Sequence, residues 1–140
     1  MKEWTIKVFV KENGVDAFEE WMEEVRKADV EGYEQIRAMI RRLSNTKKWD
    51  RPFFSMLKGC EHICEIIVKT KDKQYRPLGC HGPGPQTFTL LVGASKKQKI
   101  WTPQNAKETA RRRRKLAFGD RRYVDDYQPG KRRHKETPTR

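Results

Sequence analysis

The stretch DAFEEWMEEVRKADVEGYEQIRAMIRRL, residues 16–43, decides the fold. Phe18, Trp21, Met22, Val25 and Ala28 recur at three- and four-residue intervals, which places them on one face of an α-helix. Asp16 with Glu19 three residues later has the form of a capping box, Asp standing in for Ser or Thr. After a turn around residues 29–32, Val30, Tyr33, Ile36, Ile40 and Leu43 make a second stripe, with Arg37, Arg41 and Arg42 on its outer faces. Two amphipathic helices joined so closely fold back as an antiparallel hairpin.

Outward from the hairpin the period changes to two. Trp4, Ile6, Val8 and Val10 alternate with polar residues as a half-buried strand, which Asn13-Gly14 ends. Beyond the hairpin, a polar loop holds Lys47, Lys48 and Trp49, and Phe53, Phe54, Met56 and Leu57 lead to Lys58-Gly59. Residues 60–70 read as a strand with Cys64, Ile66 and Val68 on one face and Glu61, Glu65 and Lys69 on the other. A turn at residues 71–74 returns the chain as Tyr75-Arg76-Pro77-Leu78, so that Thr70 faces Tyr75 and Lys69 faces Arg76. Lys69, Arg76, Glu65 and Glu61 then share a polar face, a candidate site or simply a solvated sheet surface. Pro77 makes the return strand an edge or a bulge there.

Gly82-Pro83-Gly84-Pro85 is a stiff loop, and residues 87–94 form the most apolar stretch, a central strand. Thr102-Pro103 reads as an N-cap with proline at the first helical position, opening a helix that runs to about Phe118. Residues 119–140 lack periodicity and read as a flexible basic tail. The expected architecture is a small α+β domain over residues 1–118. It has an antiparallel or mixed sheet of about four strands, an N-terminal helix hairpin and a C-terminal basic helix.

The chain's 140 residues, 35% hydrophobic with a mean hydropathy of −1.01, can bury one small core. No apolar run is long enough to span a bilayer, and the N-terminus lacks a signal-peptide core. Three cysteines argue against a secreted disulfide framework, so a cytoplasmic protein with reduced thiols and no membrane partner is expected. The net charge of +13 is uneven: residues 1–95 hold 16 Lys+Arg against 14 Asp+Glu, and residues 96–140 hold 16 against 5. A one-sided basic field attracts nucleic acid and weakens with salt, although a terminal basic run can also serve only to keep a tail solvated.

Arg111, Arg112, Arg113, Arg114 and Lys115 are consecutive in the last helix and span more than one turn. Some must therefore point at the sheet and others outward, and the helix dipole alone favours cations there. With Lys69, Lys96, Lys97, Lys99, Arg121 and Arg122 they make a candidate phosphate footprint for RNA. A second basic block covers residues 131–135.

Cys60, His62, Cys64, Cys80 and His81 invite a zinc reading. Four strand residues separate Cys60 and Cys64 by about 13 Å, too far for a disulfide or for two ligands on one zinc. No metal or other cofactor is expected unless Gly59-Cys60 is irregular or Cys64 meets His81. His62 or His81 stays a candidate acid or base.

The order and spacing of several motifs resemble the RelE/ParE superfamily of bacterial toxins, in particular its HigB-like, phage-derived branch. They are Phe18-x-x-Trp21, Arg42-Leu43, Lys58 with Glu65, Tyr75-Arg76, residues 90–94 followed by Lys96-Lys97, and Thr102-Pro103 with Ala106 and Ala110. The resemblance implies a compact toxin that binds the ribosome and cuts mRNA without metal. A cognate antitoxin, in some cases a helix-turn-helix protein, would hold it inactive. Carried over by position, Arg76 is a phosphate clamp, while Lys58 and Lys96 or Lys97 neutralise the scissile phosphate or act as base. Tyr123 and Tyr127 are the only aromatic candidates near the last helix that could stack or donate.

Two departures stand out. Ile67 occupies the position where the family pattern Glu-Leu-Arg has arginine, and Pro77-Leu78-Gly79 replaces the usual apolar continuation. One missing cation on a reacting face costs about 2–4 kcal/mol of transition-state stabilisation. Two rivals follow: a non-catalytic prophage protein that keeps the fold and binds nucleic acid, and an interaction module that docks a partner through the helix hairpin.

Overall fold

Asp16 starts the first helix as its sequence requires: its carboxylate accepts the backbone N–H of Glu19 at 2.9 Å. The computed structural model describes residues 2–129. Strand β1 (Thr5–Phe9) is followed by α1 (Ala17–Ala28) and α2 (Val30–Ser44), and Asp29 alone separates the helices. Asp29 also caps α2, accepting from Gly32 N at 3.0 Å. Then come β2 (Phe54–Met56), β3 (Cys64–Ile66), β4 (Val68–Lys69), β5 (Gln74–Tyr75), β6 (Leu78–His81), β7 (Thr87–Val92), β8 (Ser95–Lys97) and β9 (Ile100–Thr102). The chain continues through α3 (Ala106–Gly119), a 3-10 turn at Arg121–Tyr123 and β10 (Val124–Asp126).

The class is α+β, but the strands form two sheets rather than one of about four. One is six-stranded in the order β10-β1-β7-β6-β3-β2, and the other is four-stranded in the order β4-β5-β8-β9. The main sheet is mixed, because β1 runs parallel to β7 while the other neighbours are antiparallel. The helix hairpin covers one face, packing Phe18, Met22, Val25, Tyr33, Ile36, Ile40 and Leu43 on Val8, Ile66, Phe88 and Leu90. Helix α3 covers the other, laying Ala106 and Ala110 on Leu78, Cys80, Leu91 and Val92. All six residues of β7 are consequently buried. Of the second stripe, only Val30 misses the core, at 62% exposure.

Four sequence readings are corrected. First, Lys69 pairs with Gln74 rather than Arg76, and Val68 with Tyr75. Thr70 closes a tighter turn, donating its N–H to Lys73 O at 2.8 Å and accepting Lys73 N–H on its hydroxyl at 3.1 Å. A two-residue shift leaves Lys69 and Arg76 on their expected face. Second, residues 57–63 are a loop with left-handed backbone at Gly59 and His62, so Glu61 does not join the polar face. Third, Thr102 is claimed by β9, where it pairs with Ser95, and α3 starts at Ala106 behind Asn105. Fourth, order continues past residue 118, because β10 adds to the edge of β1 with Lys7 Nζ 2.6 Å from Asp126. The basic block at residues 131–135 lies outside the described residues. Among the described residues no helix is long and apolar enough to cross a membrane.

Candidate functional site

The four-stranded sheet lays one row of side chains across an open face. Lys69 pairs with Gln74, Tyr75 with Ser95, and Lys96 with Trp101. Side chains alternate along strands, and partners across a ladder share a face, so Lys69, Gln74, Lys96 and Trp101 line up. Lys69 and Lys96 are therefore roughly 10 Å apart at the backbone, on either side of Gln74. Trp101 is buried, with Lys96 Nζ 5.1 Å and Lys107 Nζ 5.7 Å from its ring centroid. Its π-face steadies both ammonium groups from the protein side.

Arg76 stands one step behind this row, and its guanidinium is already engaged. It donates to Glu65 Oε1 at 2.9 Å and to Gln74 Oε1 at 2.5 Å. The Arg76 side chain is 12% exposed and that of Glu65 7%. Arg76 Nε is buried without a hydrogen-bond partner. Ile67, on the same face between Glu65 and Lys69, is buried too. A phosphate clamp needs an open fork of N–H groups. Arg76 presents instead a buried ion pair and donates to Gln74 between the two lysines.

In front of the row, the turns after β4 and β8 lie at the same end of the sheet, because β5 runs antiparallel to both strands. Lys69, Lys71, Lys73, Lys96 and Lys97 line a cleft of about 660 Å³ there, with Asp72 the acid among its lining residues. Lys71 and Lys73 had passed as turn residues in the sequence. Two lysine-bearing turns on adjacent hairpins were the available signal, but it needed the β5–β8 pairing to become visible. Lys99 is exposed on the same turn as Gln98, outside the cleft lining.

The remaining candidates are dispersed. Lys58 is exposed in the loop of residues 57–63, at the end of β3 away from the cleft. The strand from Cys64 to Lys69 alone puts it about 16 Å off. Tyr123 stacks on Phe9, 5.7 Å between centroids and 4° between planes, so it fills core beside β1. Tyr127 Oη is buried, and burial pushes its pKa up. Neither tyrosine joins the lysine row. In α3, Arg113 turns inward, donating to Leu91 O at 2.9 Å with its guanidinium 5.1 Å from the Phe9 ring. Arg114 lies 4.3 Å over Phe118. Arg111, Arg112 and Lys115 face solvent. Arg122 is held by Asp120 at 2.7 Å, and Arg121 is exposed.

The cysteines are free and buried. Burial pushes the thiol of Cys64 up to about 11 and that of Cys80 to about 12, which makes them poor nucleophiles at neutral pH. Among the described residues no group of three or more His, Cys, Asp or Glu could hold a metal ion. His62 is exposed in its loop, and His81 lies on the opposite face of the sheet from Arg76.

Residues 23–115, 93 of the 140, match the profile of the family described as Phage derived protein Gp49-like (DUF891). The match takes in Glu65, Lys69, Gln74, Arg76, Lys96 and Trp101. No curated protein and no solved structure matches the chain.

Proposed function

The chain belongs to the Gp49-like family of phage-derived proteins, a toxin-like family of the RelE/HigB type, and from that premise we propose that it is the toxin of a type II toxin–antitoxin pair. In this reading it is a ribosome-associated, metal-independent mRNA endonuclease restrained by a cognate antitoxin. The observation that carries it is the row of Lys69, Gln74 and Lys96 at the mouth of a lysine-lined cleft, with the Arg76–Glu65 pair behind it.

That arrangement suits cleavage by the RNA's own 2′-hydroxyl. Water takes the proton from the 2′-oxygen as it attacks phosphorus, and the 5′-oxygen leaves with a proton from water, giving a 2′,3′-cyclic phosphate and a 5′-hydroxyl end. Negative charge builds on the non-bridging oxygens, where two ammonium groups flanking a neutral amide stabilise it most. Gln74 donates or accepts according to the oxygen it meets, and Arg76 keeps it in register through the hydrogen bond between them. The outward cations Arg111, Arg112 and Lys115 supply contacts to ribosomal RNA.

A second reading has its own observation. Ile67 occupies the polar face beside Glu65, and Arg76 is neutralised by that carboxylate. Both weaken the reacting face and favour a member that holds RNA without cutting it.

Controlled expression in a bacterial host separates the two. Growth arrest with new 5′-hydroxyl ends in mRNA, abolished by Lys69→Gln with Lys96→Gln in a protein that still folds, supports the nuclease. Ribosome binding without cleavage or arrest supports the holding protein. Arrest that survives the double substitution overturns the assignment of the row.

A further inference from the structure

The end of β6 carries a second constellation, remote from the lysine cleft. The imidazole of His81 is ringed by Trp4, Phe88, Phe54 and Trp49 at centroid distances of 5.2, 5.4, 5.9 and 6.2 Å. Phe54 and Phe88 are buried and form the bed. Trp4 and Trp49, 5.3 Å apart, are half-buried beside it, and His81 itself is exposed. Both indoles are pinned through their N–H groups. Trp4 Nε1 donates to Lys47 O at 3.1 Å, and Trp49 Nε1 to Leu43 O at 2.8 Å and Thr46 O at 2.9 Å. The imidazole has no hydrogen-bond partner among the described residues, apart from its ring contacts. The loop that holds Trp49 carries exposed Lys47, Lys48 and Arg51 against one acid, Asp50.

Packing alone does not account for this set. A ring that only covered Phe54 and Phe88 would be apolar, yet here it is an exposed imidazole, and the Trp49 beside it sits in a loop rich in exposed cations. We propose that His81, with Trp4 and Trp49, is a stacking platform for one unpaired base of single-stranded RNA, and that Lys47 and Lys48 meet the flanking phosphates. Aromatic rings fixed in advance stack a base of any sequence, and unstacked single strands are the form in which RNA presents its bases. Desolvation among the rings lowers the pKa of His81, which favours the uncharged ring in the stack.

The platform is distinct from the cleft. Gln74 lies in the four-stranded sheet and His81 in the six-stranded one, and the two side chains lie on opposite faces. The proposal rests on the reading that the chain handles RNA, but not on cleavage.

The test compares a short oligouridylate with an abasic oligomer of equal phosphate count, each titrated into the full chain by fluorescence anisotropy. The base-bearing oligomer is expected to bind about tenfold tighter, a factor typical of one stacked base. His81→Ala and, separately, His81→Gln should bring the ratio close to one while leaving the abasic affinity unchanged. Lys47→Gln with Lys48→Gln should weaken both oligomers equally. Equal affinity of the unsubstituted chain for the two oligomers, or a ratio that survives both His81 substitutions, overturns the platform. Cleavage is scored in parallel. A chain that never cuts RNA but keeps the ratio defeats the nuclease reading and leaves the platform standing, and one that cuts RNA with a ratio of one does the reverse.

Discussion

Three inward arginines and five cleft lysines make the sharpest contrast in this protein. Arg76, Arg113 and Arg114 are turned into the fold, where they meet Glu65, the Leu91 carbonyl and the rings of Phe9 and Phe118. Lys69, Lys71, Lys73, Lys96 and Lys97 ring an open cleft with a single acid among them. The difference follows from the side chains. A planar guanidinium is weakly hydrated and satisfies its donors in fixed directions, so it tolerates burial. An ammonium group is strongly hydrated and stays where water or a phosphate can reach it. Formal charge is therefore a poor guide to which cations meet a partner. Fractional burial and hydrogen-bond partners are better ones.

The sharpest way to break this division is to delete one half of the buried pair. Arg76→Met strands the carboxylate of Glu65, and Glu65→Leu strands the guanidinium. Each should cost about 3–5 kcal/mol, because an uncompensated charge remains inside. The double substitution should recover most of that loss. Urea denaturation of the two single variants and the double one closes the cycle. If Arg76→Met changes stability by less than about 1 kcal/mol while abolishing RNA binding, Arg76 belongs with the partner-facing cations after all.

Arg113 tests the same idea with a neutral acceptor. Arg113→Met keeps the stem but removes the bond to Leu91 O and the contact with Phe9. Losing a hydrogen bond from a charged donor predicts a destabilisation of about 1.5–3 kcal/mol. RNA affinity at constant salt should change little, whereas Arg112→Met on the exposed side should show the opposite pattern. Thermal unfolding and filter binding on the two variants read both arms.

Strand β5 serves both sides at once. Gln74 faces the lysine row, and its neighbour Tyr75 reaches through the opposite face to the helix hairpin, donating to Asp29 Oδ2 at 2.6 Å. That bond, more than the Gly32 N–H, holds the Asp29 carboxyl below its ordinary pKa. The folded value lies below the unfolded one, so the stabilisation is complete above about pH 4 and disappears as pH falls through the folded value. Tyr75→Phe should cost about 1.5 kcal/mol at pH 7. It should also flatten the acid limb of a stability–pH profile measured by denaturant midpoint between neutral pH and pH 2.

The sequence was legible where one signal dominated. The helix hairpin showed itself in two apolar stripes and the Asp16 cap, and the polar face survived a register error because a shift of two preserves parity. The β8–β9 hairpin stayed hidden because Thr102-Pro103 looks locally like a helix start, while the pairing of Lys96 with Trp101 is a tertiary choice. Strand β10 stayed hidden because Val124, Asp125 and Asp126 carry one apolar residue, and an edge strand hydrogen-bonded to β1 needs no more. The site fared likewise. Lys69 and Lys96 were visible as cations on strands, but their alignment across Gln74 depends on β5 sitting between β4 and β8. Whether Arg76 was open or engaged depended on the distance to Glu65, which sequence spacing does not encode.

The smallest expected effect on stability belongs to the lysines, and it completes the comparison. Replacing Lys69, Lys71, Lys73, Lys96 and Lys97 together by glutamine removes five charges that make no ion pair among the described residues. Each substitution should move stability by no more than about 0.5 kcal/mol. Unfolding should even become slightly harder, since like charges around one cleft repel one another. RNA binding should respond very differently. Each phosphate contact to a single strand contributes about 0.7 to the slope of log affinity against log salt. If all five lysines meet phosphates, the slope should fall by roughly 3.5. A slope that falls by about 0.7 or less would mean that the cleft touches one phosphate at most, and the outward face of α3 would then be the principal RNA-binding surface. A stability loss comparable to that of Arg76→Met would dissolve the distinction between the two kinds of cation. Measuring both quantities on one purified variant therefore separates a cleft kept open for a partner from a cluster that merely decorates the sheet.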